Sequence, residues 1–451
     1  MKEKTVLLMG LLALFLLASC EKEEAYGVAD PLGDALETAL LEQAGGRGLD
    51  FYRLPSSTSL HEIPQDPLNP LTPEKVALGK MLFHEAGLAM APKNDRGMGT
   101  YSCASCHFAA AGFQAGRHQG IGEGGEGFGM AGEGRRANET YNAADLDVQP
   151  IRSPSALNSA YQEVTLWNGQ FGATGPNAGT EHAWQSGTPK AVNHLGFQGL
   201  ESQAIAGIDV HRLLPDRETL ESLGYKELFD QAFPERPEAE RYNKITAGLA
   251  MAAYERTLLA NEAPFQQWLR GDQFALSELE KKGALLFFTK AECSSCHTGP
   301  ALNNMDFYAL GMKSLSDCPE EVFQAPADSP ANLGRGGFTG RPEDAYKFKT
   351  PQLYNLKNSP FYGHGASFRS IREVVAYKNR GVGENPAVPA SQLAEGFHPL
   401  GLADEEIDAI TAFLEHALRD RNLKRFEPDA VFSGLCFPNN DGQSRQDMGC
   451  D

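Results

Sequence analysis

The sequence predicts a mostly α-helical protein that is built as two similar domains with long loops. Its 451 residues suit two domains of ordinary size. Helix start signals occur in both halves, whereas no convincing alternation of apolar and polar residues predicts a strand. A faint repeat relates the two halves, because GKMLF at residues 79–83 resembles GALLF at residues 283–287.

Four stretches carry the pattern of a helix. Thr72-Pro73 begins one helix before the first repeat, and Ser277 with Glu280 three residues later forms a capping box before the second. Residues 242–259 form a third helical stretch. Asp404 begins a fourth, whose apolar face consists of Ile407, Ile410, Phe413, Leu414 and Leu418.

Residues 116–134 contain nine glycines and predict a loop. Two interpretations of this loop stay open. It either passes close over a flat group or bends around it, or it is a flexible insertion without function.

The first twenty residues predict a lipoprotein signal peptide. Lys2 and Lys4 precede an apolar run at residues 6–17, which is too short to span a bilayer comfortably. Small residues then lead to Cys20. We expect the signal peptide to be cleaved just before Cys20 and the cysteine to be acylated. A plain signal peptide with an incidental cysteine is the alternative. Residues 21–65 are interpreted as a solvated tether. We therefore expect an anchored protein of the cell envelope, facing the periplasm or the cell surface.

The charge balance indicates which partners suit the chain. It carries 40 basic and 59 acidic residues, a net charge of −19. Nucleic acid is disfavoured, because its binding rewards basic surfaces and no basic stripe is present. A soluble protein with a basic face fits better.

Two of the cysteine patterns identify a cofactor. Cys103 and Cys106 precede His107, and Cys293 and Cys296 precede His297, so that C-x-x-C-H occurs twice. In this signature both thiols form thioethers to a haem, and the histidine binds its iron. A thioredoxin-like pair lacks its βαβ context here, and a zinc site is the weaker interpretation.

The motifs divide the chain into two cytochrome-c-like haem domains. We place an N-terminal domain at residues 66–261, a C-terminal domain at 262–430 and a tail at 431–451, with the joint near residues 262–275. Three other cysteines remain, and a disulfide is the default in an oxidising compartment. Cys436 with Cys450 and Cys318 with Cys436 both stay open as pairings.

Residues 70–425 resemble a known family, the bacterial di-haem cytochrome c peroxidases, together with the relative that matures methylamine dehydrogenase. The resemblance rests on short stretches that occur in the family's order around the two haem motifs. They are LGKMLF (78–83), SCASCH (102–107), RSPSALN (152–158), WNGQ (167–170), QA (203–204), YERTL (254–258), GR (334–335), FKTPQLYN (348–355) and GH (363–364).

The resemblance implies a division of labour between the haems. The N-terminal haem would bind and reduce hydrogen peroxide, and the C-terminal haem would receive electrons from a small donor protein of the cytochrome c or cupredoxin type. His107 and His297 are then the proximal iron ligands. Trp167 corresponds to the tryptophan that lies between the haems, although a core aromatic is the alternative. Relatives often form homodimers, so a homodimer is also an open expectation.

The resemblance also implies an acid–base group over the N-terminal haem, because cleavage of the O–O bond requires proton movement. Gln203 fits the family's glutamine. Where a glutamate is expected, His211 is our candidate for the proton shuttle, and Arg212 is a candidate for stabilising negative charge. A surface His-Arg pair is the alternative. His118 lies in the loop from which some relatives supply a distal ligand.

The second haem shows the main departure from the family. Relatives place a methionine or tyrosine about fourteen residues after the Gly-His histidine, where this chain has Lys378 with Tyr377 beside it. A neutral lysine amine and a tyrosinate are both candidate iron ligands, and a five-coordinate haem is the third option. Met305 and Met312 are fallback ligands.

Calcium is poorly supported, because Arg152 stands where relatives use an asparagine ligand. Three functions remain to be weighed. The first is a peroxidase. The second is an oxidase of a protein or small organic substrate, and the third is a dihaem electron carrier without enzymatic activity.

Overall fold

The computed structural model describes residues 30–450. The predicted signal peptide, Cys20 and the first part of the tether lie outside the described residues. Within residues 30–450 no helix is long and apolar enough to cross a membrane. The prediction of a mostly α fold is confirmed, because helices and loops dominate and the strands are few.

Twelve α-helices and two short β-ladders occur in the described part of the chain. The helices are α1 (Pro31–Gln43), α2 (Pro73–His84), α3 (Gly199–Val210), α4 (Arg217–Ser222), α5 (Lys226–Ala232), α6 (Lys244–Arg256), α7 (Pro264–Leu269), α8 (Glu278–Phe288), α9 (Arg335–Thr339), α10 (Ile371–Arg380), α11 (Asp404–Ala412) and α12 (Gly442–Met448). The antiparallel pairs are β1 (Gly125–Glu126) with β2 (Arg136–Ala137), and β3 (Phe307–Tyr308) with β4 (Phe348–Lys349).

The helices pack around two main hydrophobic clusters. Helices α2 to α6 contribute to one cluster, and α1, α7, α8, α10 and α11 contribute to the other. The change from one cluster to the other falls between α6 and α7, close to the joint expected from the sequence. The division into two haem domains itself stays a prediction.

The sequence repeat has a physical cause in two helix crossings. A Cβ atom added to Gly79 of α2 would lie 1.8 Å from the Ala250 carbonyl oxygen of α6. A Cβ atom added to Gly283 of α8 would lie 1.9 Å from the Ala409 carbonyl oxygen of α11. Both crossings are therefore so close that only glycine fits, and each half contains the same helix pair.

The predicted helix starts are confirmed by their caps. The Thr72 hydroxyl accepts from the amide of Lys75 at the start of α2. At the start of α8, the Ser277 hydroxyl accepts from the Glu280 amide, and the Glu280 carboxylate accepts from the Ser277 amide. The apolar face predicted after Asp404 is buried along α11 and the π-helical turn that follows it.

The solvated tether expected at residues 21–65 is wrong for residues 30–65. Helix α1 buries Leu36 and Leu40 completely, and both belong to the cluster of the C-terminal half. Asp30 caps α1 by accepting from the Gly33 amide, and its carboxylate also pairs with Lys281 of α8. Apolar residues at helical spacing thus bury this segment against the C-terminal half.

The C-terminal tail packs against the N-terminal half. Cys436 forms a disulfide with Cys450, which leaves Cys318 as a free thiol and settles the pairing that the sequence left open. The backbone of Asn439 pairs with Tyr101, and Asp441 forms an ion pair with the buried Arg135. Sequence position alone would have placed this tail beside the C-terminal half.

Candidate functional site

The first C-x-x-C-H motif begins with a single 3₁₀ turn at Cys103–Ser105. The Ser102 amide donates to the Ser105 hydroxyl, and both serine hydroxyls donate to the Pro438 carbonyl of the tail. Nδ1 of His107 lies 3.1 Å from the Phe113 carbonyl oxygen. Because a carbonyl only accepts, Nδ1 carries the proton, and Nε2 keeps a free lone pair for a metal.

The second motif repeats this arrangement. Cys293–Ser295 forms the turn, and Nδ1 of His297 lies 3.0 Å from the Leu302 carbonyl oxygen. Burial lowers the pKa of His107 and that of His297 to about 4. Both imidazoles are therefore neutral at physiological pH, as iron ligation requires.

The surroundings of the motifs fit a covalently bound porphyrin. Each motif presents two thiols and one imidazole whose orientation is already fixed by a backbone carbonyl. Gly120 passes directly over the first motif, since a Cβ atom there would lie 2.7 Å from Cys106 Sγ. The glycine-rich loop at residues 116–134 thus approaches the motif closely at Gly120, and its passage over a flat group stays a prediction.

One cavity of about 690 Å³ connects the two motifs. His107 lines it at one end and His297 at the other, with Trp167 also on its wall. Gln203 and Lys378, two of the residues predicted for the site, line it as well. The structure therefore brings residues from both halves into one space.

Trp167 is held in this cavity by contacts with both halves. Its indole Nε1 donates to the Arg152 carbonyl at 2.8 Å, and its own carbonyl accepts from the Lys349 amide at 2.7 Å. The guanidinium of Arg335 donates to the carbonyls of Asn168 and Gly169 in the same loop. One hydrogen bond therefore holds the indole itself, and two further partners hold the backbone of the loop that carries it.

A second structural repeat surrounds Trp167 and includes His364. Asn158 and Asn355 both adopt a left-handed backbone, with φ of 55° and 56°. A bridge from Thr165 to Phe171 follows the first, and a bridge from Tyr362 to Phe368 follows the second at the same interval. Trp167 and His364 occupy the same place in the two bridged turns.

His364 extends the aromatic contact across the cavity. Its ring stacks on Phe348 with centroids 3.5 Å apart and meets the Trp167 indole edge to face. Burial lowers the pKa of His364 to about 3, so its imidazole is neutral. The backbone amide of Arg152 also donates to the His364 carbonyl. Sequence reasoning used His364 only as a reference point for counting and missed this place in the site.

His211 ends α3 and is paired with a buried carboxylate. Its Nδ1 lies 2.7 Å from Asp147 Oδ2. Burial disfavours the charged imidazole, but the Asp147 carboxylate outweighs this effect and raises the pKa of His211. The charge of His211 also acts on His107. A histidine oriented by a carboxylate near the first motif is suited to moving protons.

Arg212 and His118 are directed elsewhere. The Arg212 guanidinium pairs with the buried Glu123 carboxylate and donates to the Asp145 carbonyl. Nε2 of His118 donates to the Glu321 carbonyl at 2.8 Å. Neither side chain is among those lining the cavity, and His211 does not line it either. Because its guanidinium is engaged by Glu123, we do not carry Arg212 forward as a residue that stabilises charge there.

Lys378 and Tyr377 differ in whether their side chains line the cavity. Lys378 lies on the cavity wall, and its charge acts on His297. Burial lowers the pKa of Lys378 to about 8, against the opposing effect of the Cys296 and Cys293 sulfurs. Tyr377 is fully buried outside the cavity, where its hydroxyl donates to the Leu310 carbonyl. Of the two alternatives, the geometry favours Lys378.

The remaining predicted ligands are placed as follows. Met312 lines the cavity, whereas Met305 does not. Arg152, which stands where calcium relatives have an asparagine, is buried and donates to the Gln114 side-chain oxygen and the Ser359 hydroxyl. Calcium stays a poorly supported prediction.

Glu255 is a cavity residue that the sequence analysis named only within the YERTL stretch. It lies in the last turn of α6, and no described residue forms a hydrogen bond with its carboxyl group. Burial, reinforced by the nearby Glu201 carboxylate, raises the pKa of Glu255 to about 8. An acidic residue on a helix of buried alanines, Ala247, Ala250, Ala252 and Ala253, is the sequence signal that could have identified it.

Comparisons with known proteins show which family the chain resembles. A family model described as di-haem cytochrome c peroxidase matches residues 73–274. The methylamine utilization protein MauG of Methylorubrum extorquens is 30% identical over 401 residues, which cover 87% of this chain and 90% of that protein. Cytochrome-c peroxidase IdrP1 of Denitromonas iodatirespirans is 28% identical, over 84% of this chain and 91% of its own length.

A solved structure supports the fold. The MauG-like protein associated with microbial copper homeostasis superposes with a TM-score of 0.57 at 22% identity, over 82% of this chain and 95% of that one. The named peroxidases among the relatives are oxidoreductases, and a di-haem family implies two c-type haems. The chain belongs to the di-haem cytochrome c peroxidase family.

Proposed function

We propose that this protein reduces hydrogen peroxide to water with electrons from a small redox protein of the cytochrome c or cupredoxin type. The observation that carries this proposal is the single cavity that joins His107 to His297, with Trp167 on its wall. Reduction of peroxide needs two electrons at one haem, and a second haem bound in the same cavity can deliver them.

The bound haems would supply the redox chemistry, with electrons entering at the C-terminal haem and peroxide reacting at the N-terminal one. This chain's residues then have separate tasks. Gln203 would orient peroxide at the first motif. His211, held by Asp147, is the proton shuttle, which takes a proton from peroxide and returns it to the water that forms. Lys378 would hold the second haem together with His297. Trp167 keeps an aromatic contact between the two ends.

The protons and electrons balance with the donor included. Each peroxide takes up two electrons and two protons and gives two waters. The electrons come from the donor protein, and the protons come from solvent through groups in the cavity. The net charge of −19 favours a donor with a basic docking face.

Electronic and EPR spectra of the oxidised holoprotein, with and without hydrogen peroxide, test this function. We expect a high-spin haem that changes when peroxide is added, together with steady peroxide consumption when a reduced small cytochrome c or cupredoxin is supplied. Two low-spin haems that ignore peroxide, before and after one-electron reduction, contradict the proposal and leave an electron carrier.

A second candidate is the oxidation of a protein or small organic substrate. The placement of Lys378 on the cavity wall favours it, because a nitrogen ligand lowers the reduction potential of the second haem relative to methionine. Methylamine utilization protein MauG is also among the relatives. Screening donors under peroxide distinguishes the two functions: turnover with small redox proteins supports the peroxidase, and turnover only with an organic or protein substrate supports the oxidase.

We also propose an anchored location in the cell envelope. It rests on residues 1–20 and on Cys20, which lie outside the described residues, and on the disulfide in the tail, which suits an oxidising compartment. Mass spectrometry of the membrane-extracted protein, which would detect a lipid on Cys20, tests it. The homodimer stays a prediction.

A further inference from the structure

We propose that Glu255 donates a proton to peroxide at the first motif, as a second acid–base residue beside His211. This inference rests on the proposed peroxidase function and adds a residue to it. It starts from a carboxyl group that enters the cavity without a hydrogen-bond partner among the described residues.

The first support is position. Met251 and Glu255 are four residues apart on α6 and so lie on one helix face. Met251 Sδ lies 4.0 Å from Cys103 Sγ, which places this face against the first motif. On the neighbouring helix α3, Leu200 and Gln203 are three residues apart, and both line the cavity. Glu255 and Gln203 therefore both line the cavity, and they come from helices that pack against each other at Ile205 and Gly248.

The second support is the ion pair beside Glu255. Glu201 of α3 is fully buried, and its two carboxylate oxygens accept from Arg256 at 2.9 and 2.7 Å. A third hydrogen bond comes from the Asn69 side-chain amide. Glu201 thus forms an ion pair with Arg256, and the negative charge of its carboxylate disfavours a second ionised carboxylate nearby.

Glu255 is protonated at neutral pH. Burial and Glu201 raise the pKa of Glu255 to about 8, and Arg256 opposes them only in part. A raised pKa means that Glu255 keeps its proton at neutral pH and loses it as the pH rises through about 8. A buried carboxylic acid that stays neutral at pH 7 is suited to donating a proton.

Other charged groups facing Glu255 are few. Among residues 30–450, the titratable groups that interact with Glu255 are Arg256 and the neutral Tyr254 hydroxyl on its own helix and Glu201 on α3. In the first motif, the Cys103 thiol also interacts with Glu255, but it becomes an uncharged thioether once haem is attached. The protonated state of Glu255 thus depends mainly on burial and on the Glu201–Arg256 pair.

The proposed step balances. As the O–O bond breaks, the carboxylic O–H bond of Glu255 also breaks, and a new O–H bond forms on the departing oxygen, which leaves as water. The retained oxygen gives its proton to His211, and it becomes the second water with that proton, one more proton from solvent and two electrons from the redox donor already named. The Glu255 carboxylate then recovers a proton from solvent water, so that the residue is unchanged after each turnover.

Infrared spectroscopy of the holoprotein tests the protonation state directly. We expect the carbonyl band of a protonated carboxylic acid at pH 7, shifted in D₂O and lost as the pH rises above about 8. Glu255→Gln should lack the band, and Glu255→Asp should retain one. Glu218→Gln removes an exposed carboxyl on α4 and is the matched control that should leave the band unchanged. A band that persists in Glu255→Gln overturns the assignment.

Rapid mixing with hydrogen peroxide tests the donor role. We expect Glu255→Gln to react about 100-fold more slowly than wild type, at the low end of acid–base contributions, and Glu255→Asp to recover part of the rate. The loss of rate above pH 8 should be present in wild type and absent in Glu255→Gln. Haem content, measured by pyridine haemochrome, must equal two per chain for a variant to be compared.

The two proposals fail differently. If wild type consumes peroxide and Glu255→Gln does so at the same rate with the same pH profile, Glu255 is not the donor, and the peroxidase function stands. If wild type itself ignores peroxide, the peroxidase function fails and the donor role fails with it, whatever the infrared band shows.

Discussion

Trp167 and His364 meet edge to face at equivalent places of two structural repeats, with ring centroids 6.2 Å apart and an interplanar angle of 66°. Each belongs to a turn closed by a short backbone bridge, Thr165 to Phe171 in one and Tyr362 to Phe368 in the other. The two halves of the chain therefore present corresponding rings to each other. This contact lies in the cavity that joins the two haem motifs.

Replacing Trp167 by Phe should slow electron delivery from the C-terminal to the N-terminal haem. The ring becomes smaller, and the buried Arg152 carbonyl loses the indole donor, which costs about 1–3 kcal/mol of stability. Rapid-mixing absorbance of the two haems measures the delivery. Trp184→Phe is the matched control, because Trp184 donates to Thr180 outside the cavity. Equal delivery rates in both variants would remove Trp167 from the bridge.

Replacing Lys378 by Met should raise the reduction potential of the C-terminal haem and change its ligand-field spectrum. A thioether stabilises the reduced iron more than an amine does. Tyr377→Phe should leave the reduction potential and the spectrum unchanged, since the Tyr377 hydroxyl donates to the Leu310 carbonyl. Loss of this hydrogen bond should cost about 1 kcal/mol of stability. Spectroelectrochemical titration measures the potentials. The opposite pattern, with a response only to the tyrosine variant, would assign the ligand to Tyr377.

Replacing Asp147 by Asn should move the acid limb of the peroxide pH profile to lower pH by about 1 to 2 units. His211 accepts a proton only when neutral, and the Asp147 carboxylate raises its pKa. Without this carboxylate, burial dominates and the neutral imidazole persists at lower pH. The pH dependence of kcat/KM for peroxide measures the shift. His118→Gln, which alters an imidazole outside the cavity, should not move the limb.

Replacing Gly79 by Ala should destabilise the N-terminal half by about 3 kcal/mol or prevent its folding, because the new Cβ would overlap the Ala250 carbonyl oxygen. Thermal or denaturant unfolding followed by circular dichroism measures the loss. Gly442→Ala is the control, since a Cβ atom at that position meets nothing within 4 Å. A Gly79→Ala variant as stable as this control would mean that the α2–α6 crossing yields more easily than its geometry indicates.

Local signals predicted the elements whose causes are local. The caps at Thr72 and Ser277 gave helix starts correctly, because capping depends on residues within one turn. The haem motifs were recognisable for the same reason. The segment at residues 30–65 was misjudged, because its burial depends on α8, which lies far away in the sequence.

Within the site, the sequence identified candidate residues but not the direction in which their side chains point. His211 and Arg212 are neighbours, yet one interacts with the first motif and the other pairs with Glu123. Lys378 and Tyr377 are also neighbours, and only the three-dimensional packing shows which one faces the cavity. Glu255 was missed because its significance depends on the Glu201–Arg256 pair, whose members are far apart in the sequence.

The disulfide-closed tail has a practical consequence for handling the protein. Its carbonyl at Pro438 accepts from Ser102 and Ser105, which flank the first thioether cysteine. An affinity tag or fluorescent fusion added to the tail would therefore lie near the first C-x-x-C-H motif rather than beside the C-terminal half that precedes the tail in the sequence. Fusions at that terminus, and preparations clipped near it, should be compared with untagged protein before any kinetic value is assigned to the native enzyme.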